Sequence, residues 1–128
     1  MRFSRNFALY VVLLSIIFGC VRYAYARESV RDTDLQALYR AINQDSFAGS
    51  LPHAQVSWSY LEKEEGTTRA YPDGRFEIEI DRATNTTHRE LLDTLHEEMC
   101  HVETLPSLNG QDAHGPLFQT CMLRFLGR

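Results

Sequence analysis

The sequence predicts an α+β domain: an N-terminal helix, a three-stranded antiparallel meander, a histidine-bearing helix and a C-terminal helix. Three observations carry this. Leu35, Leu38, Tyr39 and Ile42 recur at helical spacing. Phe76-Glu77-Ile78-Glu79-Ile80-Asp81 alternates apolar and acidic, the period of a half-buried strand. Leu95-His96-Glu97-Glu98-Met99-Cys100-His101 places two imidazoles and two carboxylates inside a segment whose apolar positions are again helical.

The chain has 128 residues, which sets one domain as the expectation. Residues 1–26 read as a secretion signal. Arg2 and Arg5 form a positive start, Phe7–Gly19 is apolar apart from Ser15, and Ala24-Tyr25-Ala26 fits a cleavage site. The apolar run is short of the ~20 residues that span a bilayer, so no stable membrane span is expected after cleavage. A lipoprotein acylated at Cys20 is the lesser reading, because the bulky Phe18 fits its cleavage site poorly. Export to the periplasm or the medium follows, with residues 27–128 as the working domain. Removal of Arg2, Arg5 and Arg22 leaves ten basic residues against seventeen acidic ones, a net charge of −7. A domain so acidic, without a basic stripe, is not expected to bind nucleic acid. Cys100 and Cys121 remain; they could form a disulfide in an oxidising compartment or sit as two buried thiols on facing helices.

Thr33-Asp34-Leu35-Gln36 reads as a capping box opening a helix that runs to about Ser46, where Gly49 and Pro52 punctuate the exit. Val56–Leu61 alternates as a first strand, Glu62–Gly66 is a charged turn, and Thr67–Tyr71 is a short second strand. Pro72-Asp73-Gly74 is turn chemistry, since Pro presets φ and Gly supplies a positive φ. Phe76–Asp81 is the third strand, with Glu77, Glu79 and Asp81 on a solvated face. Asn85-Thr86-Thr87 fits a glycosylation acceptor, a motif common by chance. Thr87 and Glu90 make a second capping box, and Leu91, Leu92, Leu95, Met99 and Val102 line the helix that follows until Pro106 ends it. Pro116 suits the first position of a last helix with Phe118, Cys121, Met122 and Phe125 on its apolar face.

His96 and His101 are five residues apart. In a regular helix of about 100° per residue, i+4 is displaced about 40° and i+5 about 140°, so the two imidazoles cannot both face one ion. Two solutions exist. A π-bulge absorbs the extra residue, making His96 and His101 ligands and Glu97 the general base. Alternatively the helix stays regular and the register shifts, making Glu97 and His101 ligands and Glu98 the base. The commoner use of imidazole favours the bulge. His114 is the best third ligand, because it follows a loop long enough to turn the chain back. Glu103, His53 and His88 have no such spacing argument. Three protein ligands leave a position for water, which is the arrangement of a catalytic zinc site that hydrolyses an amide.

The chain resembles the SprT-like zinc metallopeptidase family. Leu38–Asn43 with Phe47-Ala48-Gly49-Ser50-Leu51-Pro52 is similar to that family's opening helix and its exit, and Trp58 falls where the first strand carries an aromatic residue. Thr94–His101 looks like its zinc helix with one residue inserted, giving HExxxH, and His114-Gly115-Pro116-Leu117-Phe118 is similar to its third-ligand motif. The resemblance implies a minimal zincin-like domain. It implies Zn2+ held by His96, His101 and His114, Glu97 as catalytic acid/base, and a protein or peptide substrate. The dipeptidyl-peptidase III family carries a similar inserted helix in which both histidines bind zinc. A catalytically inactive zinc- or protein-binding module on the same scaffold is the alternative function.

Overall fold

The computed structural model describes residues 30–127. The expected signal segment, its Cys20 and the domain boundary at residue 27 lie outside the described residues. Among those described, no helix is long and apolar enough to cross a membrane.

Helix α1 spans Leu35–Ser46. Its N-cap is Asp34, whose side chain accepts from the Ala37 amide at 2.9 Å, one residue later than the expected Thr33 cap. Asp caps as well as Thr or better. The shift frees Gln36, whose amide group reaches across to the outer edge of the first strand. Its Nε2 donates to the Ala54 carbonyl at 2.9 Å, and its Oε1 accepts from the Val56 amide at 3.1 Å. That edge would otherwise present unpaired backbone groups. Tyr39, buried in the core, donates its hydroxyl to the Pro52 carbonyl at 2.7 Å, and burial pushes its pKa up to about 12.

Strands β1 (Ala54–Ser59), β2 (Gly66–Ala70) and β3 (Phe76–Asp81) form a mixed sheet in the order β1-β3-β2. The expected antiparallel meander is therefore corrected. β2 and β3 do form an antiparallel hairpin, closed at Pro72-Asp73-Gly74 with the Gly74 amide on the Tyr71 carbonyl at 2.9 Å. β1, however, pairs in parallel with β3, Ala54 opposite Phe76 and Ser59 opposite Asp81. The physical reason is burial. Ile78 and Ile80 are fully buried, so the strand that carries them takes the centre, where both edges are covered. The segment 60–65 then crosses the end of the sheet instead of making a tight turn.

Asp81 anchors that crossing. It is 1% exposed, where a solvated acid was expected. Its Oδ1 accepts from the Leu61 amide at 2.9 Å, and its own amide donates to the Glu65 carbonyl at 2.8 Å. Glu77 and Glu79 do lie on the outer face, within 3.2 and 3.4 Å of Arg69. Asn85 is also buried, and its Nδ2 donates to the carbonyls of Glu65 and Asp81 at 2.8 and 2.9 Å. An amide nitrogen so engaged is not open to glycosylation.

Helix α2 spans His88–Thr104 and opens with the expected Thr87–Glu90 capping box. It packs across β2 and β3, burying Leu91, Leu95 and Met99 against Ile78 and Ile80. A 3-10 turn at Leu105–Ser107 ends it, and α3 runs Pro116–Met122 with proline in its first turn.

Candidate metal centre

Helix α2 is α-helical from end to end, so it contains no π-bulge. The helix angle then decides which groups meet. His96 turns towards the C-terminal segment, where its ring stacks on Phe125 at 3.8 Å with an interplanar angle of 10°. Glu97 and His101, one turn apart, share the opposite aspect. With His114 they form a group whose ligand atoms all lie within 4.8 Å of one another, close enough to hold a metal ion. His114 Nε2 is 3.7 Å from Glu97 Oε1. The structure therefore brings together Glu97, His101 and His114, the grouping of the shifted register, and leaves His96 outside it.

The three side chains are delivered by different means. Glu97 and His101 ride on a helix whose other face is buried in the core. His114 sits at the end of the 108–115 loop, where its amide donates to Asp112 Oδ1 at 3.0 Å. Gly115 follows at a close approach: a Cβ there would lie 2.9 Å from the Asp112 carbonyl oxygen. Phe118, one turn into α3, stacks on the His101 ring at 4.6 Å and meets the His114 ring edge-on at 4.8 Å, fixing the two imidazoles relative to each other. Burial, with the neighbouring His114, lowers the pKa of His101, which favours the neutral imidazole that a metal takes.

Cys100 and Cys121 are joined by a disulfide. It links α2, at the residue before His101, to α3. Glu103 pairs with Arg124 at 2.7 Å, and His53 and His88 are exposed; none of the three belongs to the cluster.

Glu98 is the group beside the cluster with the most unusual setting. It is 5% exposed, and burial pushes its pKa up to about 7 against the opposing hydrogen bond from Thr68. The charges of Glu97 and Glu64 add to the rise. Thr68 Oγ1 lies 2.6 Å from Glu98 Oε2. Glu97, Glu98, His101 and His114 share an open cleft of about 470 Å³, walled on the far side by Glu64, Gly66 and Thr68. Sequence reasoning did not find Thr68 or Gly66. A glycine at a strand start is a weak sign of close approach, and nothing in the spacing singles out Thr68.

The model of the SprT-like family matches residues 35–127, from the first residue of α1 through the site and α3. No curated protein matches the chain.

Proposed function

This chain belongs to the SprT-like family, and from that premise we propose that it is an exported zinc-dependent metallopeptidase. Glu97, His101 and His114 hold the zinc and Glu98 is the general base. The observation that carries the reading is the convergence of Glu97, His101 and His114 beside the buried carboxyl group of Glu98. A donor set of two imidazoles and one carboxylate suits a catalytic zinc ion, and three protein donors leave a position open to the cleft. Bound there, zinc would supply a Lewis acid that polarises a peptide carbonyl and acidifies water.

The rest is done by the chain. The open cleft receives an extended peptide between β2 and α2. Glu98 accepts a proton from the water that attacks the carbonyl carbon. It returns that proton to the amine nitrogen as the C–N bond breaks, so it ends as it began. His96 supports the fold through Phe125 and takes no part. Export rests on the pattern of residues 1–26, and a disulfide beside the metal helix suits an oxidising compartment. The inactive-module alternative leaves the cost of burying Glu98 without a use.

Metal content and cleavage of an unfolded protein such as casein test the proposal together. Wild type is expected to carry one zinc per chain and to cleave. Glu97→Ala, His101→Ala and His114→Ala lose the metal, His96→Ala keeps it, and Glu98→Gln keeps it while losing ~100-fold or more in rate. Zinc lost in His96→Ala but kept in Glu97→Ala would overturn the ligand set. Zinc bound without any cleavage by the wild type would turn the reading into that of a binding module.

A further inference from the structure

Strand β2 approaches the Glu98 side chain in two separate ways. From Thr68, the hydroxyl oxygen lies 2.6 Å from Glu98 Oε2 and 3.0 Å from the Glu98 carbonyl oxygen. Its single proton serves the nearer, charged acceptor when the carboxylate is ionised. From Gly66, the bare Cα faces the other carboxylate oxygen: a Cβ would lie 2.9 Å from Glu98 Oε1, 2.9 Å from its Cγ and 2.7 Å from Thr94 Cγ2. Among the described residues Oε1 takes no hydrogen bond. The two carboxylate oxygens are thus made unequal by the strand opposite.

We infer that Thr68 is a positioning residue that pins Oε2 of Glu98 while Gly66 leaves Oε1 clear, so that Oε1 is the atom that takes and returns the proton. This rests on the reading of Glu98 as the base. Oε1 gains a proton from water and loses it to the leaving amine. Oε2 remains the acceptor of the Thr68 hydroxyl throughout, so the side chain does not reorient between the two steps. A carboxyl group free to rotate would reach the same proton, but from many orientations, and misplacement of a catalytic group by about 1 Å costs up to about 100-fold.

The test uses the zinc-loaded full chain and casein. Thr68→Val is expected to keep its zinc and a KM within about twofold of wild type, while kcat falls about 10- to 100-fold. Thr68→Ser, which restores the hydroxyl, recovers most of kcat. Gly66→Ala repeats the kcat loss by crowding Oε1, and it carries the test should Thr68→Val fail to fold. A second readout is independent of activity: in a double-mutant cycle on metal-free protein, Thr68→Val lowers the urea midpoint in wild type and much less in Glu98→Ala. Full kcat in Thr68→Val, beside a dead Glu98→Gln, would sink the inference and leave the base assignment standing. An active Glu98→Gln would overturn the base assignment, and the inference with it.

Discussion

Cys100 and Cys121 tie the turn of α2 that carries His101 to the helix that begins two residues after His114. The bond is the covalent link between two elements that also pack against each other, with the Phe118 ring stacked on His101. The first prediction follows from that closure. Cutting a link that spans 21 residues is expected to cost about 3 kcal/mol of stability. The loop that carries His114 is then no longer held, so zinc affinity falls about tenfold or more. Competition with a chromogenic chelator, on wild type with and without dithiothreitol and on a Cys100→Ala/Cys121→Ala double variant, reads this directly. Unchanged affinity in the double variant would show that non-covalent contacts suffice to hold His114.

A second prediction concerns acid. Burial would raise the pKa of Asp81, but the amides of Leu61 and Thr84 and the Thr84 hydroxyl outweigh it, and the net shift is downward. A group whose folded pKa lies below its unfolded one adds stability above the unfolded value. That stability is lost as pH falls through the folded pKa. Asp81→Asn is therefore expected to destabilise metal-free protein at pH 6 by about 1–3 kcal/mol, read from urea unfolding. The difference from wild type should shrink by pH 3. A gap that stays constant with pH would assign the effect to packing instead of charge.

Glu98 has the opposite sign. Its folded pKa, about 7, lies above that of a free carboxyl, so folding favours the protonated form. The stability this contributes is complete below about pH 4 and lost as pH rises through 7. In metal-free protein Glu98→Gln is expected to match wild type near pH 4. By pH 8 it should exceed wild type by an amount on the order of 2 kcal/mol. Thermal midpoints across that range check it, and a variant that is no more stable at pH 8 would place the carboxyl in a wetter setting.

His96 gives the fourth. Its ring lies on Phe125, away from the cluster. His96→Ala should cost about 1 kcal/mol through the lost stacking, with zinc retained. His96→Phe should recover most of that stability. Loss of zinc in both variants, with the fold intact by circular dichroism, would contradict the placement.

The sequence made the local elements legible and left the non-local ones obscure. Alternation gave β3 its bounds, Phe76–Asp81, and the Thr87–Glu90 box gave α2 its start. Both signals lie within a few residues. The pairing of β1 with β3 depends on which strand is most buried, and no turn motif between Tyr60 and Glu65 reveals it. Asp81 continued the outward alternation of Glu77 and Glu79, so only its tertiary partners distinguish it. At the site, helix geometry alone separated His96 from His101, while the usual preference for imidazole ligands pulled the other way. In the regular helix His96 lies on Phe125, 29 residues downstream, and such a partner cannot be seen from the motif.

The crossing of residues 60–65 has a kinetic consequence. The β2–β3 hairpin and α2 are local structures and close quickly. β1 can pair with β3 only by bringing Ala54 to Phe76 around the whole hairpin, and such non-local closure is slow. The segment that walls the cleft at Glu64 is anchored by the same step, through Asp81 and Asn85. Until β1 pairs with β3, the residues that face the cleft from α2 lack the wall at Glu64 opposite them.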